Sequence, residues 1–95
     1  MSNLTPEAYV ACRTGDIVVP LVRQAFEESM KTGKAGKRFT RAVTGTVHEI
    51  YGLQMKAYEG LEKKDPHAPE IYLTEEQAKV IFNQHLTMNG LPKIR

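Results

Sequence analysis

Five cations crowd eleven residues: Lys31, Lys34, Lys37, Arg38 and Arg41, with no acid between Glu28 and Glu49. Lys37, Arg38 and Arg41 fall at the start of a helical stripe, where free backbone N–H groups and the helix dipole favour an anion. Gly33 and Gly36 would let a phosphate approach the backbone. Lys34, Lys37, Arg38 and Arg41 are therefore candidate contacts for nucleic acid or a phosphorylated ligand. The same residues also read as a solvated basic loop. The stretch is not a Walker A loop, which needs Gly-x4-Gly-Lys-Ser/Thr; position 31 is lysine and position 38 arginine. A helix-turn-helix centred on Gly45 fits poorly, because Arg41 and Thr44 stand where the motif wants a small and an apolar residue.

The remaining chemistry-bearing residues are scattered. His48, His67 and His85 come from different segments, with no zinc-ligand spacing. No metal or cofactor is expected. His85 lies near an apolar stripe and is expected to be partly buried with a partner. Cys12 has neither a nucleophile elbow nor flanking glycines, and is expected in the core as a small apolar side chain. The adjacent pairs Glu27-Glu28 and Glu75-Glu76 point in different directions along a helix. No nucleophile, base and anion site can be assembled, so no catalytic residues are assigned and the chain is read as a non-enzyme.

The elements that must carry these residues are helical throughout. The expected fold is all-α, a small bundle of four helices near 5–15, 17–32, 37–63 and 74–89, or five if the third breaks at Gly45. Thr5 caps the first, with Pro6 in its first turn and Gly15 as its stop. The second starts at Asp16 or, because of Pro20, at Pro20 itself. Its stripe is Val18, Leu21, Val22, Ala25, Phe26 and Met30. The long central helix carries Phe39, Val43, Val47, Ile50, Ala57 and Leu61 on one face. Thr46 and Glu49 have capping-box spacing, which is the alternative that would break it. Linkers fall near 33–36 and 64–73. Thr74 and Gln77 form a second capping box, Gly90 a left-handed stop, and residues 93–95 a frayed basic tail.

One domain of 95 residues can bury a core without staples. The net charge of +2 does not by itself imply nucleic acid. The single cysteine excludes an internal disulfide. No apolar run approaches the ~20 residues of a membrane span, and no signal peptide is visible, so the expected location is cytoplasmic. Tyr51, Met55 and Tyr58 widen the apolar face of the central helix. Gly45 and Gly52, if that helix is continuous, would admit a close neighbour. These five residues are the candidate protein interface. The expected function is a small interaction or regulatory protein that binds another protein or itself: an inhibitor, regulator or assembly factor of the kind that phages and mobile elements also carry. The alternative is nucleic-acid or phosphorylated-ligand binding through the Lys31–Arg41 segment.

Overall fold

The computed structural model describes residues 5–33, 36–62 and 73–95 and contains three helices: α1 (Pro6–Lys31), α2 (Lys37–Glu62) and α3 (Glu75–Met88). The all-α expectation holds, and the count of four or five does not. The two N-terminal helices are one. Thr5 accepts the Ala8 N–H at 3.2 Å and Pro6 opens the helix, as expected. Gly15 then stays helical and Pro20 lies inside α1. An internal proline costs ~3 kcal/mol or more. Here its ring sits on the solvent side, while Val10, Thr14, Val18, Leu21, Ala25 and Ser29 form one buried arc in unbroken phase. Ending the helix at Pro20 would throw that arc out of register, and burying Val18 and Leu21 alone is worth ~1.5–3 kcal/mol each.

α2 is likewise continuous through Gly45. Thr46 does not cap anything; its hydroxyl donates back to the Ala42 carbonyl at 2.7 Å within the helix. The buried line is Phe39, Ala42, Thr46, Ile50, Gln54 and Ala57. This differs from the expected stripe. Val43 is half-buried and Val47 is 37% exposed, while the Leu61 side chain lies outside the described residues. The reason is that α2 must touch both α1 and α3, so its buried arc is centred between them and takes in two polar residues.

α1 and α2 form an antiparallel hairpin. Phe26 meets Phe39 edge-on at 5.6 Å, Gln54 Nε2 donates to the Thr14 hydroxyl at 3.2 Å, and Tyr9 meets Tyr58 at 5.9 Å. Gly33 and Gly36 turn the chain with φ of 70° and 132°, values that suit glycine. α3 runs antiparallel to α2 along one side of the hairpin, where Ala78, Ile81, Phe82 and Leu86 close the core over Leu21, Ala25, Ala42 and Ile50.

Both ends of α3 follow the sequence signals. Thr74 and Gln77 complete the capping box, each bonding the other's backbone N–H, at 3.2 and 2.8 Å. At the other end Leu91 N–H reaches the Leu86 carbonyl at 2.8 Å and Gly90 N–H the Thr87 carbonyl at 3.0 Å, a Schellman stop with Gly90 at φ 71°. The expected frayed tail is not frayed. Asn83 holds Ile94 at both backbone groups, accepting its N–H at 2.7 Å and donating to its carbonyl at 3.0 Å, and the Ile94 side chain enters the core. Lys93 and Arg95 alternate outward.

Asn83→Ala should therefore cost about 1–3 kcal/mol for two hydrogen bonds. In denaturant titration the midpoint falls, and in hydrogen exchange the Ile94 amide loses protection while the α1 amides keep theirs.

Candidate interaction face

The hairpin has two sides, and α3 covers one. On the other, α1 presents Ala8, Ala11, Gly15, Val19, Val22, Phe26 and Met30, spaced by three and four so that they form one line. α2 answers with Thr40, Val43, Val47, Tyr51, Met55 and Tyr58. No residue in either line carries a charge. Between the lines runs a groove of about 320 Å³, walled by Ala11, Thr14, Gly15, Val18, Val19 and Val22 of α1 and by Val43, Val47 and Tyr51 of α2. A shallower hollow continues over the outer side of α2 past Thr44 and His48. Val19 is 56% exposed, Phe26 45% and Met30 57%. Phe26 and Met30 are thus corrections to the expected core stripe. Cys12, expected in the core, is exposed beside this face. In both cases the apolar arc of α1 is wider than two neighbouring helices can bury.

The five proposed interface residues do not share one surface. Tyr51 walls the groove, and Tyr58 is half-buried against Tyr9. Met55 is half-buried on the same side of α2. Gly45 points toward α3, because six residues at 3.6 per turn set it about 120° around the helix from Tyr51. A Cβ on Gly45 would stand 2.7 Å from His85 Nδ1 and 2.9 Å from its Cε1. The imidazole thus lies on bare backbone, and its Nε2 reaches Glu49 Oε1 at 3.1 Å. The close neighbour anticipated at Gly45 is a side chain of the same chain. Among the described residues Gly52 has no neighbour near enough to touch a Cβ. The His85–Glu49 contact spans 36 positions and had no sequence signal except the glycine that makes room for it.

The basic cluster is divided. Lys31 pairs with Glu28 at 3.2 Å on the surface, a contact worth at most ~0.5 kcal/mol. Lys34 lies outside the described residues. Lys37, Arg38 and Arg41 are exposed on the first turns of α2, which hold no acid. Arg38 and Arg41 border a depression with Met88, Asn89 and Gly90, and Arg38 Nη1 comes within 3.7 Å of where a Gly90 Cβ would stand. The antiparallel packing of α2 and α3 puts these guanidinium groups beside the carbonyl end of α3, where the dipole favours cations. Their charge has a use inside the fold.

Among the described residues no three His, Cys, Asp or Glu side chains gather in a way that could hold a metal ion. His67 lies outside the described residues. No described helix is long and apolar enough to cross a membrane. No protein-family model, curated protein or solved structure matches the chain.

Two glycine substitutions should separate the roles. Gly52→Ala removes a helix-interior glycine with nothing to strike and should stabilise the fold by about 1 kcal/mol. Gly45→Ala should not, because the new methyl meets His85. In a His85→Ala background Gly45→Ala should recover the gain of about 1 kcal/mol. Denaturant melts of the four variants in that double-mutant cycle check it, and additivity of the two changes would contradict the contact.

Proposed function

We propose that the protein is a non-enzymatic interaction protein that binds another macromolecule through the uncharged α1–α2 face. The carrying observation is the groove between the helices, with Val19, Phe26 and Met30 beside it in water. A soluble monomer rarely leaves so continuous an apolar strip open unless something docks there. Charge is depleted at the centre of protein interfaces and aromatic and Met side chains are enriched, which is the composition of this face. A groove between two antiparallel helices is also the shape that receives an apolar helix face.

Catalysis gains no support from the same groove. Its walls are aliphatic apart from Thr14 and Tyr51. The Thr14 hydroxyl is buried and already accepts from Gln54. Nothing in the walls is placed to act as nucleophile and base. Regulation, inhibition or assembly are the roles such binding serves, and with one thiol and no internal disulfide the cytoplasm is the compartment we favour. Nucleic-acid or phosphorylated-ligand binding through Lys37, Arg38 and Arg41 is the weaker reading, since two of the three face the α3 carbonyl end.

A photoreactive benzoylphenylalanine in place of Tyr51 tests the reading in cells that make the protein. Irradiation should yield a covalent adduct with a second polypeptide, while the same group at Val80 on the far side of α3 yields none. Equal yields at both positions, or none at Tyr51, contradict it.

A further inference from the structure

We propose that the end of the molecule where α2 begins and α3 stops is a second binding surface, for the phosphate backbone of a nucleic acid. The proposal goes beyond the α1–α2 face and does not depend on the reading of that face.

The first observation is the distribution of charge. Residues 29–48 and 77–95 contain no Asp or Glu, yet they hold eight of the chain's 13 Lys and Arg. All 11 acids lie elsewhere, so a net charge of +2 hides a strongly basic part. The fold brings the two stretches together. α3 runs antiparallel to α2, so its last turn lies beside the first turns of α2: the His85 ring rests on Gly45, and Arg38 reaches Gly90.

The second is continuity. Arg38 and Arg41 border one hollow with Met88, Asn89 and Gly90. Lys93 borders the next one, with Gln84, Thr87 and again Met88. The cations of α2 and of the C-terminal segment therefore share one surface. Lys37 extends it, exposed one turn before Arg41. Sequence alone assigns Lys93 to a frayed tail; the hold of Asn83 on Ile94 fixes the segment that carries it.

The third is the lack of compensation. The α3 terminus supplies about half a negative charge, and its last carbonyls already accept the Asn89, Gly90 and Leu91 N–H groups. That favours Arg38 and Arg41 where they stand and leaves most of their charge unopposed. Glu49 is taken by His85 and Glu28 by Lys31. Glu27 is exposed on α1 and borders neither hollow. Among the described residues Lys37, Arg38, Arg41 and Lys93 have no carboxylate within ion-pair distance.

The spread of these cations selects the anion. They cover the ends of two adjacent helices, ~20 Å across with their side chains, which suits an extended polyanion better than a single phosphate. Exposed Gln84 and Thr87 stand between them, and amide and hydroxyl side chains join Arg and Lys in contacts to a nucleic-acid backbone. A lipid surface favours Trp, Phe or Leu among the cations; neither hollow holds one.

Fluorescence anisotropy of a short labelled DNA duplex of mixed sequence, titrated with the full chain, tests this. Four cations at phosphates predict a log–log salt slope of about −3.6, so that Kd weakens by about two orders of magnitude from about 50 to about 200 mM salt. Lys37→Gln and Lys93→Gln should each reduce the slope by about one, with an unchanged helical circular dichroism spectrum. Lys56→Gln, exposed on the far half of α2, should leave the slope as it is. An absence of binding at the lower salt overturns the proposal. So does a slope that Lys93→Gln leaves unchanged, or that Lys56→Gln lowers as much. Binding to phosphatidylserine vesicles or to polyglutamate in place of the duplex overturns it as well, and gives the surface to a membrane or an acidic protein. The crosslink at Tyr51 reads the other face, so failure here leaves that reading standing.

Discussion

A helix of 14 residues cannot cover both sides of a hairpin whose arms are each 26 residues long. That constraint governs this structure. At about 1.5 Å per residue α3 is roughly half the length of its neighbours, and it lies along a single side. There Phe82 and Leu86 are completely buried, and small residues (Ala25, Ala42 and Ala78) let the backbones come close. The His85 ring rests directly on the bare backbone of Gly45 in that approach. The C-terminal segment extends the coverage, with Leu91 and Ile94 filling the end of the core. Among the described residues no helix covers the opposite side of the hairpin, which is the open face.

Polar groups inside the hairpin specify its alignment. Gln54 and Thr14 are buried together, and their hydrogen bond can form in only one register of α1 against α2. Slipping either helix by one turn would strand both. The arrangement is not fully satisfied: Gln54 Oε1 and Ser29 Oγ find no hydrogen-bond partner among the described residues. Each such group costs on the order of 1–3 kcal/mol. An aliphatic pair would hold the hairpin more tightly but would tolerate sliding, so the polar pair gives up stability for a single alignment.

Local signals were the legible part of this chain. The caps at Thr5 and Thr74 and the stop at Gly90 depend on a few adjacent residues, and each formed as its residues implied. The errors came where tertiary packing overrode local preference. Gly15 and Pro20 are stop signals, yet the arc from Val10 to Ser29 holds α1 through both. The stripe of α2 was read as Phe39, Val43, Val47, Ile50, Ala57 and Leu61; Phe39, Ile50 and Ala57 are buried, but the need to face two neighbours moved burial from Val43 and Val47 onto Thr46 and Gln54. Periodicity shows that an apolar arc is wide; it cannot show which edge of the arc will be covered. For that reason Phe26 and Met30 were assigned to the core, although both are exposed beside the groove. Gly45 and Gly52 looked equivalent because they are seven apart, but only Gly45 has α3 above it.

The central claim is that the uncharged α1–α2 face is where this protein is bound. Methyl carbon-13 spectra of the labelled chain in an extract of the cells that make it test this most directly, because they report on individual side chains of the unmodified chain. The account expects the Val19, Val47 and Met30 methyl signals to shift or broaden in the extract, while Val80 and Met88 on α3 stay fixed. Signals that are all unchanged by the extract, or that move at Val80 and Met88 instead, would contradict it.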